Sequence, residues 1–265
     1  MLCGDDASSA AICNALRAAF GDPVVVVERR EARSIFIRRR IEKLGAVTVL
    51  GQLLFMALAA PILRRRASGR AAQILADAGL NTTWPEKTRR YDVSSVNDAE
   101  TSALIASIKP ALVVVNGTRN IARRVIEQCA CPMINIHCGL TPKYRGVHGG
   151  YWALAQDDRA MCGVTIHLVS PGVDTGDILA QRTIEPTSAD NFATYPHLQL
   201  AAAMIDFPRI ASVAEPGQYG AVALAVGHAE FAKMGAENIR ALGKPGAVLY
   251  DIRGLLPKNM SDGRL

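Results

Sequence analysis

The chain has 265 residues, 49% apolar and 20% charged, an ordinary globular composition that can bury a core without disulfide or metal staples. The net charge of +6 points to an anionic ligand or surface, but Arg38–Arg40 and Arg64–Arg66 carry much of the excess. No helix-turn-helix, zinc-finger spacing or aromatic-basic interleaving accompanies them, so a nucleic-acid binder is not indicated.

In chain order, "ASSAAICNALRAAF" (7–20) has helix-forming composition, with Ser8 or Ser9 as its cap. "PVVVVE" (23–28) is a continuous apolar strand of the kind buried on both faces. Ser34 to about Leu63 reads as one long or broken helix, and Ser68–Ala78 as another. Asn81–Val96 is polar and irregular, a surface loop. "NDAETSALIASIKP" (97–110) has an Asn97 cap, an acidic first turn and a proline stop.

"ALVVVN" (111–116), a helix near 120–129 and "PMINIH" (132–137) then form a strand–helix–strand crossover, which implies parallel strands. "CGVTIHLV" (162–169) and "ILAQRTIE" (178–185) alternate as half-exposed strands, an antiparallel pair. Residues 188–213 are largely helical, with interruptions expected near Pro196 and Pro208. The sum is an α/β protein with an open, mostly parallel, Rossmann-like sheet. Ligands of such sheets sit beyond the carboxyl ends of the strands. Asn116, the end of "MINIH" and the loop 170–177 all fall at strand ends, so three distant loops converge on one cleft.

"GAVTVLGQLLFMALAAPIL" (45–63) carries no charge and is close to the length needed to cross a bilayer. Arginines flank both ends, so nothing orients an insertion, and the apolar strands on either side would be separated if they share a sheet. A buried or membrane-surface helix is the better reading, with peripheral membrane contact through residues 38–66. Pro61 is expected to bend or end it. Six cysteines, with no basic and apolar leader after Met1, read as free thiols in a reducing cytoplasm. Cys129, Cys131, His137 and Cys138 match none of the usual zinc spacings, so no metal is expected.

"INIHCGLTPKYRGVHGG" (134–150) concentrates polar groups after a short apolar run. Asn135 and His137 are two apart, which on a strand puts both on one face. An amide beside an imidazole suits holding a developing oxyanion and handling a proton. A single Asn or His so placed is more often a satisfied core residue, and an Asp between glycines is usually turn chemistry. The company of Asp174, at the centre of "PGVDTGD", shifts the reading toward a site.

"INIHCGLTPKYRG" followed by "GVTIHLVSPGVDTGDILAQ" resembles the formyltransferases that use 10-formyltetrahydrofolate, over roughly residues 1–212. The resemblance implies a catalytic trio of Asn135, His137 and Asp174. It implies a folate pocket lined by Asn116, Gly117, Thr118, Arg119 and Asn120, chiefly through backbone groups, together with Val173. Lys143, Arg145 and His148 follow the trio as contacts to an anionic acceptor. "TPKYRGVHGGYWAL" looks more like the members that act on nucleotide-linked amino sugars than the purine members, which implies a small amino-sugar nucleotide as the acceptor. Members usually begin with a full apolar strand, whereas only Met1–Cys3 precede "GDD", so the first strand is expected to be clipped.

Residues 218–265 do not continue that family. They resemble the UDP-binding end of nucleotide-sugar dehydrogenases, as one strand–helix–strand unit: a strand (221–226), a helix (229–242), a Gly-Lys-Pro-Gly turn and a strand (247–252). The dehydrogenase cysteine, lysine and dinucleotide-binding glycines are not found, so dehydrogenase activity is not expected. The expected division is a catalytic domain 1–213 and a short βαβ tail 214–265. An alternative is a catalytically weak fusion whose tail binds a UDP-sugar or a partner. Homo-oligomer formation is left open.

Overall fold

The structure, a computed structural model, describes residues 1–211, 216–224 and 229–264. The chain divides into two compact units, Met1–Ala211 and Ser212–Leu265.

The first unit is built on seven strands: β1 (Leu2–Gly4), β2 (Val24–Glu28), β3 (Arg89–Val93), β4 (Val113–Asn116), β5 (Met133–His137), β6 (Gly163–Leu168) and β7 (Ile178–Thr183). Their order is β3-β2-β1-β4-β5-β6-β7. The first five are parallel, and β6 and β7 run antiparallel, as expected, but neither is half-exposed: β6, between β5 and β7, is buried on both faces, and β7, at the edge, is mostly exposed. The order reverses between β1 and β4, the crevice where open α/β sheets bind ligands. β1 has only three residues, all buried, and pairs with both β2 and β4.

Two cores cover the faces of this sheet. Ala11, Ile12 and Leu16 of α1 (Ala7–Phe20) and Leu200, Ala203 and Phe207 of the last helix of this unit (Tyr195–Ala211) pack on Val114, Ile134, Ile136, Val164 and Ile166. On the other face, Ile105, Ile121 and Val125 pack on Leu2, Val26, Val113, Val115 and Met133. Strands so covered lose their alternation and read as runs of valine.

Several helix boundaries differ from expectation. α1 is capped by Asp6, whose carboxylate accepts the Ser9 N–H at 2.9 Å; the Ser8 and Ser9 hydroxyls accept the Asn116 amide instead. The segment after β2 turns at Gly45 (φ 83°), separating α2 (Arg33–Leu44) from a continuous helical run. That run is α3 (Ala46–Leu54), a π turn (Phe55–Ala59) and α4 (Ala60–Asp77). Pro61 does not end it. The wider π turn just before it, in which the Ala60 N–H reaches the Phe55 carbonyl, absorbs the ring and the missing donor.

The stretch 81–96, expected as a loop, contains the edge strand β3. Its composition is polar because an edge faces water: Arg90 bonds Asp5 and Asp92 and lies over the Trp84 ring. α5 (Ala99–Ile108) begins after Asp98, without a side-chain cap. Asn97 instead accepts the Ala122 N–H at 2.7 Å and donates to the Asn120 carbonyl, pinning the start of α6 (Arg123–Gln128). A short α7 (Gly149–Ala155) follows β5, and α8 is the helix Tyr195–Ala211. Pro196 stands in its first turn, where a donor is not needed, and Pro208 lies inside it without ending it.

The second unit holds β8 (Tyr219–Leu224), α9 (Ala229–Met234), α10 (Ala236–Arg240), β9 (Gly243–Asp251) and β10 (Gly263–Arg264). β9 is the centre of a small parallel sheet ordered β10-β9-β8. The expected single helix breaks at Gly235 (φ 79°). "GKPG" is not a turn: it begins β9, which bulges between the pairs Tyr219↔Gly243 and Ala221↔Val248. Residues 225 and 226 of the expected strand lie outside the described residues. Leu224, Ile239, Leu249 and Leu256 form its core.

Phe207, 1% exposed in the α1–α8 core, tests this packing. Phe207→Ala is expected to lower the unfolding free energy by about 3–5 kcal/mol, and exposed Leu50→Ala by under about 0.5 kcal/mol, measured by urea denaturation.

Candidate active site

The period of β5 does two things at once. Ile134 and Ile136 point into the α1–α8 core, so Asn135 and His137 share the opposite face. The antiparallel register sets Asn135 against His167 and His137 against Thr165. Side chains directly opposed across a ladder lie on one face.

Asp174 reaches this face from the loop between β6 and β7. Its backbone is left-handed (φ 49°). A Cβ on Gly176 would lie 1.6 Å from the Leu168 carbonyl oxygen, so only glycine lets the loop press this closely on β6. Asp174 Oδ2 lies 3.3 Å from His137 Nδ1 and accepts the Gly146 N–H at 2.8 Å. Oδ1 lies 3.3 Å from Asn135 Nδ2 and 3.4 Å from His167 Nε2. One carboxylate therefore collects an amide, two imidazoles and a backbone donor.

Burial of the Asp174 carboxyl pushes its pKa up, but the His167 hydrogen bond, the Gly146 N–H and the charges of the two histidines outweigh it. The net position is below the ordinary carboxylate value. His137 Nε2 faces the Tyr144 carbonyl at 2.7 Å and Nδ1 faces Asp174 Oδ2 at 3.3 Å, so each ring nitrogen has an oxygen acceptor beside it. His167 Nδ1 lies 2.7 Å from the Leu168 carbonyl, and its Nε2 lies 3.2 Å from Asn135 Nδ2 as well as 3.4 Å from Asp174 Oδ1.

The loop after β5 is shaped to fit. A Cβ on Gly139 would lie 2.3 Å from the Tyr144 carbonyl and 2.7 Å from His137 Nε2. The buried Thr165 hydroxyl donates to the Gly139 carbonyl at 2.7 Å and accepts the Thr141 N–H at 3.1 Å.

The other expected residues are placed as follows. The Asn116 amide is bonded to Ser8 and Ser9, and Gly117 (φ 66°) carries the chain past Gly4, whose added Cβ would meet the Gly117 carbonyl at 2.8 Å. Arg119 ties its loop inward, pairing with Glu28 and donating to the carbonyls of Arg29 and Ser94. Thr118 is half-buried, while Asn120 and Val173 are exposed. Lys143 is held by Asp158 at 2.5 Å. Arg145 and His148 are exposed in the loop that closes on Asp174 through Gly146.

His167 and Thr165 were missed from sequence. Their signal was the alternation in "GVTIHLV", which puts both on one face; only the β5–β6 register reveals which face and which partners. Cys138 keeps some surface exposed, yet desolvation pushes its thiol up to about 11, so it is no thiolate at neutral pH. Among the described residues no group of three His, Cys, Asp or Glu side chains is placed to hold a metal ion. What remains is a set of donors able to hold a carbonyl oxygen as it gains charge, beside an ionised carboxylate able to draw off a proton.

Residues 61–198, just over half of the chain, match the family model described as formyl transferase. The methionyl-tRNA formyltransferase of Acidobacterium capsulatum is 34% identical over 129 residues, which cover 45% of this chain and 39% of that protein. The methionyl-tRNA formyltransferase of Koribacter versatilis is 38% identical over 103 residues, covering 38% of this chain and 30% of that protein. The match thus spans two fifths or less of these relatives. Among solved structures, phosphoribosylglycinamide formyltransferase from Bacillus halodurans superposes with a TM-score of 0.50 at 16% identity, covering 79% of this chain and 91% of that one, a likeness of fold.

Because the folded pKa of Asp174 is depressed, its contribution to stability is present above the unfolded carboxylate value of about 3.9 and is lost as pH falls through the folded value. Asp174→Asn is expected to flatten the acid limb of stability against pH and to cost about 1–3 kcal/mol at neutral pH, read by urea unfolding between neutral and acid pH.

Proposed function

The chain belongs to the formyl transferase family, and from that premise we propose that it transfers a formyl group from 10-formyltetrahydrofolate to the primary amine of a nucleotide-linked amino sugar used in surface polysaccharide synthesis. The observation that carries this reading is the meeting of Asn135 and His137 on the Asp174 carboxylate, each 3.3 Å away. The donor set fits a formyl group: an amide and an imidazolium for its oxygen, a carboxylate for the proton that the amine must lose. When bound, 10-formyltetrahydrofolate supplies the electrophilic formyl carbon. The loop 116–120 and Val173 hold it, chiefly through backbone groups because Asn116 and Arg119 turn their side chains inward.

As the amine forms its bond to the formyl carbon and the bond to the folate nitrogen breaks, negative charge rises and falls on the formyl oxygen. The Asn135 amide and protonated His137, whose Nε2 exchanges the Tyr144 carbonyl for the substrate, donate to that oxygen, and one such donor is worth about 3–4 kcal/mol of barrier. Asp174 holds His137 in its donating form and draws off the amine proton, which leaves on the folate nitrogen.

For the acceptor, support comes from the likeness of "TPKYRGVHGGYWAL" to the amino-sugar members and from the exposed cation Arg145 in the same loop. The parallel β8–β9 pair fits the resemblance of residues 218–265 to a UDP-binding end. A groove of about 850 Å³ on the second unit favours another reading, in which the tail itself holds a UDP-sugar. Its lining weighs against a diphosphate: Arg240 and Lys244 are balanced by Glu237 and Asp262, and Arg240 is bonded to Asp262 at 3.0 and 3.2 Å.

Incubation with 10-formyltetrahydrofolate and a panel of UDP- and dTDP-linked amino sugars, glycinamide ribonucleotide and charged methionyl-tRNA tests the reading. Turnover is expected on an amino-sugar nucleotide, falling roughly 10²–10³-fold in Asn135→Ala and at least as far in His137→Ala. Formylation of the tRNA or the ribonucleotide alone would overturn the acceptor. UDP-sugar binding without turnover would favour the second reading.

A further inference from the structure

We propose that the helical hairpin α2–α3–α4 docks the protein on the surface of an anionic phospholipid bilayer, lying in the interface without crossing it. The inference rests on this surface and stands apart from the reading of the active site.

The run Ala46–Asp77 is, among the described residues, the one helix long and apolar enough to cross a membrane. Yet the seven-stranded sheet leaves most of its first half uncovered. From Arg33 to Leu63 only Val49 and Ala60 are buried. Val47, Leu50, Leu54 and Leu58 recur at helical spacing and are 86%, 57%, 51% and 65% exposed. Ile35, Phe36, Ile41 and Leu44 of the preceding helix are exposed as well. A contiguous apolar surface of this kind marks an interaction face.

Charge identifies the partner. The hairpin turns at Gly45, and Arg40 bonds Gln52 at 2.8 Å, so Arg40 lies along the flank of the apolar run, while Arg38 and Arg39 on the same helix pair with Glu42 and Glu31. Arg64, Arg65 and Arg66 stand at its far end, exposed and, among the described residues, without an ion-pair partner. Apolar side chains bordered by arginine along one side and at one end match acyl chains beneath an anionic headgroup layer.

The fold keeps the hairpin from crossing. β2 and β3, which this segment joins, pair residue by residue from Val24↔Arg89 to Glu28↔Val93, so a single crossing would have to part adjacent strands. The run is also anchored to its own unit: α4 packs on α8, Arg70 pairs with Asp190, and the Phe55 and Phe192 rings meet at 5.6 Å.

The test uses the full chain and extruded vesicles of phosphatidylcholine alone or with about 30% phosphatidylglycerol, read by co-sedimentation. The wild type is expected to bind the anionic vesicles, more weakly as salt is raised, and hardly to bind the neutral ones. Replacing Arg64, Arg65 and Arg66 together by Ala is expected to weaken anionic binding roughly a hundredfold, at about fivefold per arginine. A Leu50→Glu, Leu54→Glu, Leu58→Glu triple variant, whose changes are all on exposed positions and whose fold is checked by circular dichroism, is expected to abolish it. Three results would each overturn the proposal: no anionic binding by the wild type, membrane association that resists alkaline carbonate, or a lipid-free dimer that the leucine variant dissociates.

Discussion

A carboxylate buried to 13% exposure is unfavourable unless donors surround it, and Asp174 has four: the Asn135 amide, the His137 and His167 rings and the Gly146 N–H. That requirement organises the carboxyl end of the sheet. It demands that β5 and β6 pair in one register, because a slip of one residue would turn Asn135, His137 and His167 to the other face. The register is held by hydrophobic burial of the residues in between, Ile134, Ile136, Val164 and Ile166. The same period-two alternation thus builds the core on one side and the polar cluster on the other.

The close approaches at Gly139 and Gly176 belong to the same constraint. Each removes a side chain so that a loop backbone can lie against a strand and deliver its polar groups. Around the cluster, burial sorts the chemistry. The Asp174 carboxyl stays ionised because donors outweigh its desolvation, while the Cys138 thiol, with no such donors, stays protonated. Charged residues that looked available from sequence are partly spent on architecture: Arg119 holds its loop to Glu28, and Lys143 is held by Asp158. The cluster lies one strand from the reversal between β1 and β4, so the loop after β4, proposed to line the folate, and the polar side chains on β5 are neighbours by topology.

The hairpin 33–77 follows a different logic. Its apolar residues exceed what one helical stripe packing on α8 can bury, and α4 hides only Ala60, Ala67 and Ile74. The excess is concentrated where the chain is also most basic. Excess apolar surface and excess charge in one element are a poor recipe for a folded core and a good one for an interface between oil and water. The second unit, by contrast, reaches a small core of its own through Leu224, Ile239, Leu249 and Leu256 around a three-stranded parallel sheet.

Local pattern alone was enough for the strand β2, the helix α1, the antiparallel β6–β7 pair, and the shared face of Asn135 and His137, because periodicity and burial act on neighbouring residues. It misled where a partner distant in sequence takes over a group. Asn97 reads as a helix cap but bonds across to Ala122, and the polar run 89–93 reads as a loop but finds an edge position beside β2. His167 carries no local mark of its role, which comes from standing opposite Asn135. What the amino-acid sequence determined by itself was the alternation that chooses a face for each side chain. Which side chains then meet, at 3.3 Å around Asp174, was decided only when non-local strand pairing and loop closure brought three separate segments to the same end of the sheet.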